Sequence, residues 1–131
     1  MSIFTWQVRV YYEDTDAGGV VYYANYLAFM ERARSEWLRT LGFDNQTLAK
    51  QQGVVFAVRR ACIDYLQPAR LDELLDVSLI LKKRGRASLL FEQQVRRGDE
   101  LLCRGEILLA CVDVSSFKPT AIPATILRGI L

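Results

Sequence analysis

From Leu74 to Lys83 the chain alternates: Leu75, Val77, Leu79 and Leu81 fall on one side, Asp76, Ser78 and Lys82 on the other. A period of two is that of a strand with one buried face. Four more segments carry strand character. Trp6–Tyr12 is rich in aromatic and β-branched residues, and Val54–Leu66 is long and β-branched until Pro68 stops it. Ala87–Arg97 and Leu101–Val114 follow, bounded by turns at Arg84–Arg86 and Gly98–Asp99. Ser115–Pro119 reads as a loop, and Pro123 suits the first position of a short C-terminal helix.

Between the first two strands the period changes. From Ala24 to Leu41, Leu27, Met30, Trp37, Leu38 and Leu41 fall near one helical face, and Tyr26, Phe29 and Ala33 widen it. Glu31, Arg32, Ser35, Glu36 and Arg39 leave only a narrow polar strip, so the helix is surrounded on several sides. Gly42 is placed to end it, and Asp44–Gln52 predicts a short second helix, with Asp44 or Asn45 as N-cap and Gly53 as stop. Sequential strands with tight turns predict an antiparallel meander, the first strand being added by a longer connection. The apolar helix then needs a large surface to cover it. The expectation is an α+β fold, a curled five-stranded antiparallel sheet wrapped around one long central helix.

Composition narrows the function. At 131 residues the chain is a single domain, 1–131, and its 51% apolar and 24% charged shares are those of an ordinary globular protein. A net charge of +2, spread along the chain, argues against nucleic acid as partner. The N-terminus lacks a signal-peptide pattern, and no apolar run approaches the ~20 residues that insert in a membrane. Cys62, Cys103 and Cys111 sit in strand-like segments without paired spacing, which predicts buried, reduced thiols in a cytoplasmic protein. With no histidine and dispersed thiols, no metal site is expected.

Glu13, Asp14 and Asp16 precede Gly18 and Gly19 immediately ahead of the long helix. On spacing alone this is a capped turn or an acidic catalytic loop. The wider run Y-E-D-T-D-A-G-G-V-V-Y-Y-A-N-Y-L-A-F-M-E-R-A-R, from Tyr12 to Arg34, is more specific. It resembles the signature of hotdog acyl-CoA thioesterases of the 4-hydroxybenzoyl-CoA thioesterase type, and more closely the branch associated with the bacterial Tol–Pal system (YbgC-type). FAVRRACIDYLQPARLDELLDV, RGRASLLFEQ and FKPTAIP resemble the same branch, so the likeness covers nearly the whole chain. One position departs: Tyr23 stands where that branch usually carries histidine, and in this it resembles the hydroxybenzoyl-CoA enzymes.

The resemblance implies a hotdog fold and hydrolysis of an acyl-CoA thioester. Thioester hydrolysis needs a nucleophile or base, and donors for the oxyanion that forms on the carbonyl. Without histidine the first must be a carboxylate, and the resemblance assigns it to Asp16, as nucleophile or as the base that activates water. Gly18 and Gly19 let the backbone turn tightly near a substrate. The N–H groups around Tyr23 and Ala24, at the positive end of the helix, suit the carbonyl oxygen. Asp14 orders the loop. By the same resemblance Arg86, Ser88 and Lys118 hold the coenzyme A phosphates, although solvated edge charge also explains such a basic cluster. Glu31 is expected as a buried or subunit-facing structural residue.

No cofactor is implied, since coenzyme A is part of the substrate; an acyl-carrier protein is an alternative carrier. The family resemblance further implies a homodimer or dimer of dimers with the cleft at the subunit interface. Two other readings stay open: a hydratase, disfavoured by the missing histidine, and a non-catalytic acyl-CoA-binding or envelope-associated scaffold.

Overall fold

The computed structural model describes residues 3–130. Five strands form one antiparallel sheet: β1 (Phe4–Arg9), β2 (Val54–Tyr65), β3 (Leu74–Arg84), β4 (Ser88–Arg97) and β5 (Glu100–Asp113). Their order across the sheet is β1-β3-β4-β5-β2. The helix α1 (Asn25–Thr40) joins the two edges. The expected meander is therefore correct only for β3, β4 and β5. The link from β2 to β3 is no hairpin: residues 66–73, with Pro68 and the left-handed Asp72 (φ 69°), carry the chain to the far side of the sheet. β2 pairs with β5 instead, Val54 opposite Asp113 and Tyr65 opposite Cys103.

The alternation in β3 holds, with Leu75, Val77, Leu79 and Leu81 all buried. They form one core with Leu89, Phe91, Val95, Ile107 and Cys111 from β4 and β5. The helix covers this face with Tyr26, Phe29, Met30, Ala33 and Leu38. Its buried stripe is thus rotated from the one expected. Leu27 is exposed, Trp37 is half-buried, and what was read as a sideways extension is the centre of the contact. Gly42 (φ +91°) ends α1 in the left-handed conformation, and the Phe43 N–H donates to the Leu38 carbonyl. Asp44 caps the second helix by accepting from the Thr47 N–H at 2.8 Å. That helix is one α turn, α2 (Asn45–Thr47), running into a wider π-type turn over Leu48–Gln52 before Gly53 stops it. A last helix, α3 (Ala124–Ile130), packs Ile126 on the core.

Two expectations are corrected. Cys62 is exposed, because it lies on the outer edge strand, whereas Cys103 and Cys111 are buried. Glu31 is exposed rather than buried, on the rim of the space between α1 and the sheet, where it accepts from the Ser35 hydroxyl; this corrects only the buried half of the expectation and leaves a subunit-facing position open. Among the described residues no helix is long and apolar enough to cross a membrane.

Candidate active site

The acidic loop leaves β1 and turns back before α1. Asp14 is buried and fully engaged. Its Oδ2 accepts from the Tyr11 N–H (2.9 Å), its Oδ1 from Asn25 Nδ2 (3.0 Å), and its carbonyl from the Tyr22 N–H (2.9 Å). One side chain thus ties the end of β1 to the first residue of α1, the loop-ordering part expected of it.

Asp16 is placed differently. It is exposed, and its Oδ1 accepts from the Gly18 N–H at 2.8 Å. Its backbone closes the turn, N–H to the Val20 carbonyl and carbonyl from the Gly19 N–H. The two glycines are needed for separate reasons. Gly19 has φ +81°, and a Cβ on Gly18 would come within 3.2 Å of the Asp16 carboxylate. Among the described residues, Oδ2 of Asp16 has no partner. The loop therefore presents a carboxylate anchored through one oxygen with the other open.

Nine positions on, at Asn25, α1 begins. Its N-cap residue is Ala24, which supplies no side-chain cap. The Asn25 N–H donates to the Tyr22 carbonyl, but the N–H groups of Tyr23 and Ala24 have no acceptor among the described residues. These are the two amides the sequence pointed to. They carry the partial positive charge of a sixteen-residue helix, roughly half an elementary charge.

Beside them is an aromatic wall. Tyr23 is exposed, and its ring stands edge-on to Tyr65, with centroids 6.1 Å apart. Tyr65 packs in the same manner on the buried Tyr26 at 5.5 Å, and Tyr26 Oη accepts from the Ala69 N–H at 3.0 Å. Burial pushes the phenols of Tyr26 and Tyr65 above their ordinary value, so both stay protonated. Tyr23, Tyr26 and Tyr65 line a cleft of about 260 Å³ with Val21, Leu66 and Pro68. Sequence reasoning did not single out Tyr65, since it reads as the last residue of an edge strand; the only signal was an aromatic directly before the Leu-Gln-Pro turn. Bridges from Val20 to Arg70 and from the Val21 N–H to the Ala69 carbonyl bring the Asp16 loop to this same end of the sheet.

Arg86, Ser88 and Lys118 are not there. Ser88 pairs with Ala110, and the Lys118 carbonyl accepts from the Asp113 N–H, so both sit at the opposite end of β5. The aromatic cleft belongs to Cys103, the partner of Tyr65. From Cys103 to Asp113 is ten residues, about 33 Å at ~3.3 Å per residue. Arg86 and Lys118 are exposed, and their side chains lack partners among the described residues. Lys82 instead turns to Glu106 (2.8 Å) and Glu92 (3.6 Å), and Arg84 donates to the Leu127 carbonyl. A second, largely apolar cavity of about 130 Å³ lies under α1, lined by Trp37, Leu38, Phe56, Val58, Leu89 and Phe91, with Glu31, Arg34, Ser35 and Asn45 also on its wall.

Comparison with known proteins bears on this geometry. Residues 18–104 match the thioesterase superfamily, a span that opens two residues past Asp16. The chain is 50% identical over 120 residues to the acyl-CoA thioesterase YbgC of Haemophilus influenzae, covering 92% of this chain and 88% of that one. It is 46% identical over 126 residues to the acyl-CoA thioester hydrolase YbgC of Escherichia coli, covering 95% and 93%. The crystal structure of a probable thioesterase from Bartonella henselae superposes with a TM-score of 0.89 at 37% identity, covering 93% of this chain and all (100%) of that one.

Proposed function

The chain belongs to the thioesterase superfamily, and from that premise we propose that it hydrolyses the thioester of a small acyl-CoA to the free acid and coenzyme A. Asp16 is the nucleophile or general base, and the N–H groups of Tyr23 and Ala24 polarise the carbonyl. One observation carries this reading: two amides without acceptors at the start of α1 follow, seven and eight positions on, a carboxylate with one open oxygen. In the nucleophilic route Oδ2 attacks the acyl carbon, the C–S bond breaks, and the thiolate leaves and is protonated by solvent. Water then hydrolyses the acid anhydride. In the general-base route the carboxylate takes a proton from water, whose oxygen attacks, and the proton passes to the departing sulfur. In both, negative charge grows on the carbonyl oxygen, where oriented N–H groups stabilise it without reorganising.

The site is shared between two protomers. About 23 Å of β5, at ~3.3 Å per residue, separates the aromatic cleft from Ser88, and about 33 Å separates it from Lys118, with Arg86 toward the same far end, all within one chain. β2 is a twelve-residue edge strand whose middle is exposed, with Val58 55% accessible. A long free edge of this kind invites pairing with a second copy. Antiparallel pairing of two β2 edges sets the start of one strand beside the end of the other. This brings Arg86, Ser88 and Lys118 of the partner subunit toward the loop that holds Asp16. The same pairing turns the apolar cavity behind Phe56 and Val58 toward the neighbouring cleft. At about 130 Å³ it suits a small acyl group, well short of the ~300–1,000 Å³ of sites for larger ligands. Further pairing gives a dimer of dimers.

Thiol release from a panel of acyl-CoA esters tests the reading. Asp16→Asn should abolish turnover while leaving coenzyme A binding intact. Hydrolysis by that variant at the wild-type rate would remove Asp16 from the reaction.

A further inference from the structure

Tyr65 has so far been only a wall of the aromatic cleft, yet its hydroxyl makes one directed contact. Tyr65 Oη donates to the Tyr23 carbonyl at 2.9 Å. That carbonyl belongs to the peptide unit whose other end is the Ala24 N–H. The chain has no cis peptide among its described residues, so C=O and N–H of this unit point in opposite directions. A donor fixed on the oxygen therefore aims the nitrogen. It also strengthens it, because a hydrogen bond to a peptide oxygen shifts electron density toward that oxygen and leaves the N–H a better donor.

The anchor itself is rigid. Tyr65 pairs with Cys103 in the sheet, and the two residues after it both donate to the Leu102 carbonyl, at 2.8 and 3.0 Å. Its ring packs edge-on against Tyr26, whose own hydroxyl is held by the Ala69 N–H. Ala24 meanwhile has no side-chain cap, and nothing else among the described hydrogen bonds holds the Tyr23–Ala24 peptide. A helix normally frays over its first turn. Here the turn that must not fray is fastened from outside, by a neighbouring strand.

We propose that Tyr65 is a positioning residue for the hydrolysis, its hydroxyl orienting and polarising the Tyr23–Ala24 peptide so that the Ala24 N–H meets the oxyanion. This rests on the reading of the helix start as the oxyanion site. Its consequence lies in the transition state more than in the ground state, because an aimed, polarised donor matters most where charge has grown.

Tyr65→Phe removes one oxygen and keeps the ring packing, so the fold should persist; circular dichroism and a thermal melt check this. With an acyl-CoA that the wild type hydrolyses, kcat should fall roughly tenfold, below the hundredfold or more that losing a donor outright costs. KM should stay within about twofold. Ala24→Pro deletes the N–H itself at a position whose φ of −70° proline accepts. On that background Tyr65→Phe should have no further effect. A third readout is the infrared carbonyl stretch of a ¹³C-labelled acyl-CoA bound to Asp16→Asn: its shift to lower frequency should shrink when Tyr65→Phe is added. If Ala24→Pro slows hydrolysis but Tyr65→Phe leaves kcat and the stretch unchanged, this inference fails and the oxyanion site stands. If Ala24→Pro has no effect on kcat, the assignment of that amide fails first. A rise in KM alone would make Tyr65 only a wall of the cleft.

Discussion

Asp14 and Asp16 lie two residues apart in one loop, yet substitutions at them should damage different properties. Asp14 is 3% exposed and its carboxylate accepts two hydrogen bonds, from the Tyr11 N–H and from Asn25 Nδ2. Bonds to a charged acceptor contribute about 1.5–3 kcal/mol each. Both donors lie near solvent, and water recovers part of that in the variant. Asp14→Ala should therefore cost about 2–3 kcal/mol, a fall in Tm of roughly 6–12 °C for a chain of this size. Asp16 is exposed and accepts only from the Gly18 N–H. In Asp16→Asn the amide oxygen takes over that bond, so stability should change by less than about 0.5 kcal/mol. Activity should run the other way: Asp16→Asn inactive at wild-type Tm, Asp14→Ala less stable with residual turnover. Urea melts followed by circular dichroism give the first quantity, and release of coenzyme A read with a thiol reagent gives the second. An Asp16→Asn protein as destabilised as Asp14→Ala would show that the exposed carboxylate is structural. An unchanged melt for Asp14→Ala would undo the account of the loop.

In the native protein Cys103 and Cys111 should resist a thiol reagent at pH 8 and be labelled only after denaturation; rapid labelling of either would refute the burial. Burial pushes the Cys103 thiol up to about 12. The unfolded thiol ionises near ~8.5 while the folded one keeps its proton, so stability should be unaffected below that pH and fall between pH 9 and 12 by up to ~1.4 kcal/mol per unit. Phe117 holds φ +59° while 64% exposed, so Phe117→Gly relieves strain without opening a core cavity and should raise stability by about 1 kcal/mol in a urea melt. Replacing both Arg86 and Lys118 by alanine should raise KM for acyl-CoA tenfold or more, with less effect at high salt, and leave hydrolysis of the matching acyl-pantetheine unchanged. Equal losses on both substrates would place these side chains outside the nucleotide contact.

Much of this was legible along the chain, and the failures share a cause. Strict alternation in β3 and the wide apolar face of α1 reflect contacts made by the backbone period itself, so they survive without knowledge of partners. Which strands become neighbours does not follow from period. The excursion of β2 to the far edge is decided by residues 66–73, where a left-handed Asp72 replaces the glycine that would have signalled a sharp change of course. The rotation of the buried stripe to Tyr26, Phe29, Met30 and Ala33 has the same origin: a helix apolar almost all round is oriented by what it meets. The turn that holds Asp16 and the open amides at the start of α1 were readable as structure because Gly18, Gly19 and the helix start are local. Tyr65 was not, since its partner lies 42 positions away.

That long-range contact belongs to a larger arrangement. Apolar packing alone is non-directional and would let a broad-faced helix slide on its sheet. Two directed contacts prevent this. In the middle of α1, fully buried Gln93 of β4 donates to the Met30 carbonyl at 3.0 Å and accepts from Arg34 at 2.9 Å. At the helix start Tyr65 of β2 holds the Tyr23 carbonyl. The two anchors come from different strands, one inside the sheet and one at its edge, and grip the helix segment seven positions apart, about 10 Å of helical rise. With register fixed at the centre and the first peptide fixed at the tip, the open amides have little freedom left. For the hydrolysis proposed above, which uses no imidazole, such preorganisation would matter most, because the rate would then rest on how accurately fixed dipoles meet the oxyanion.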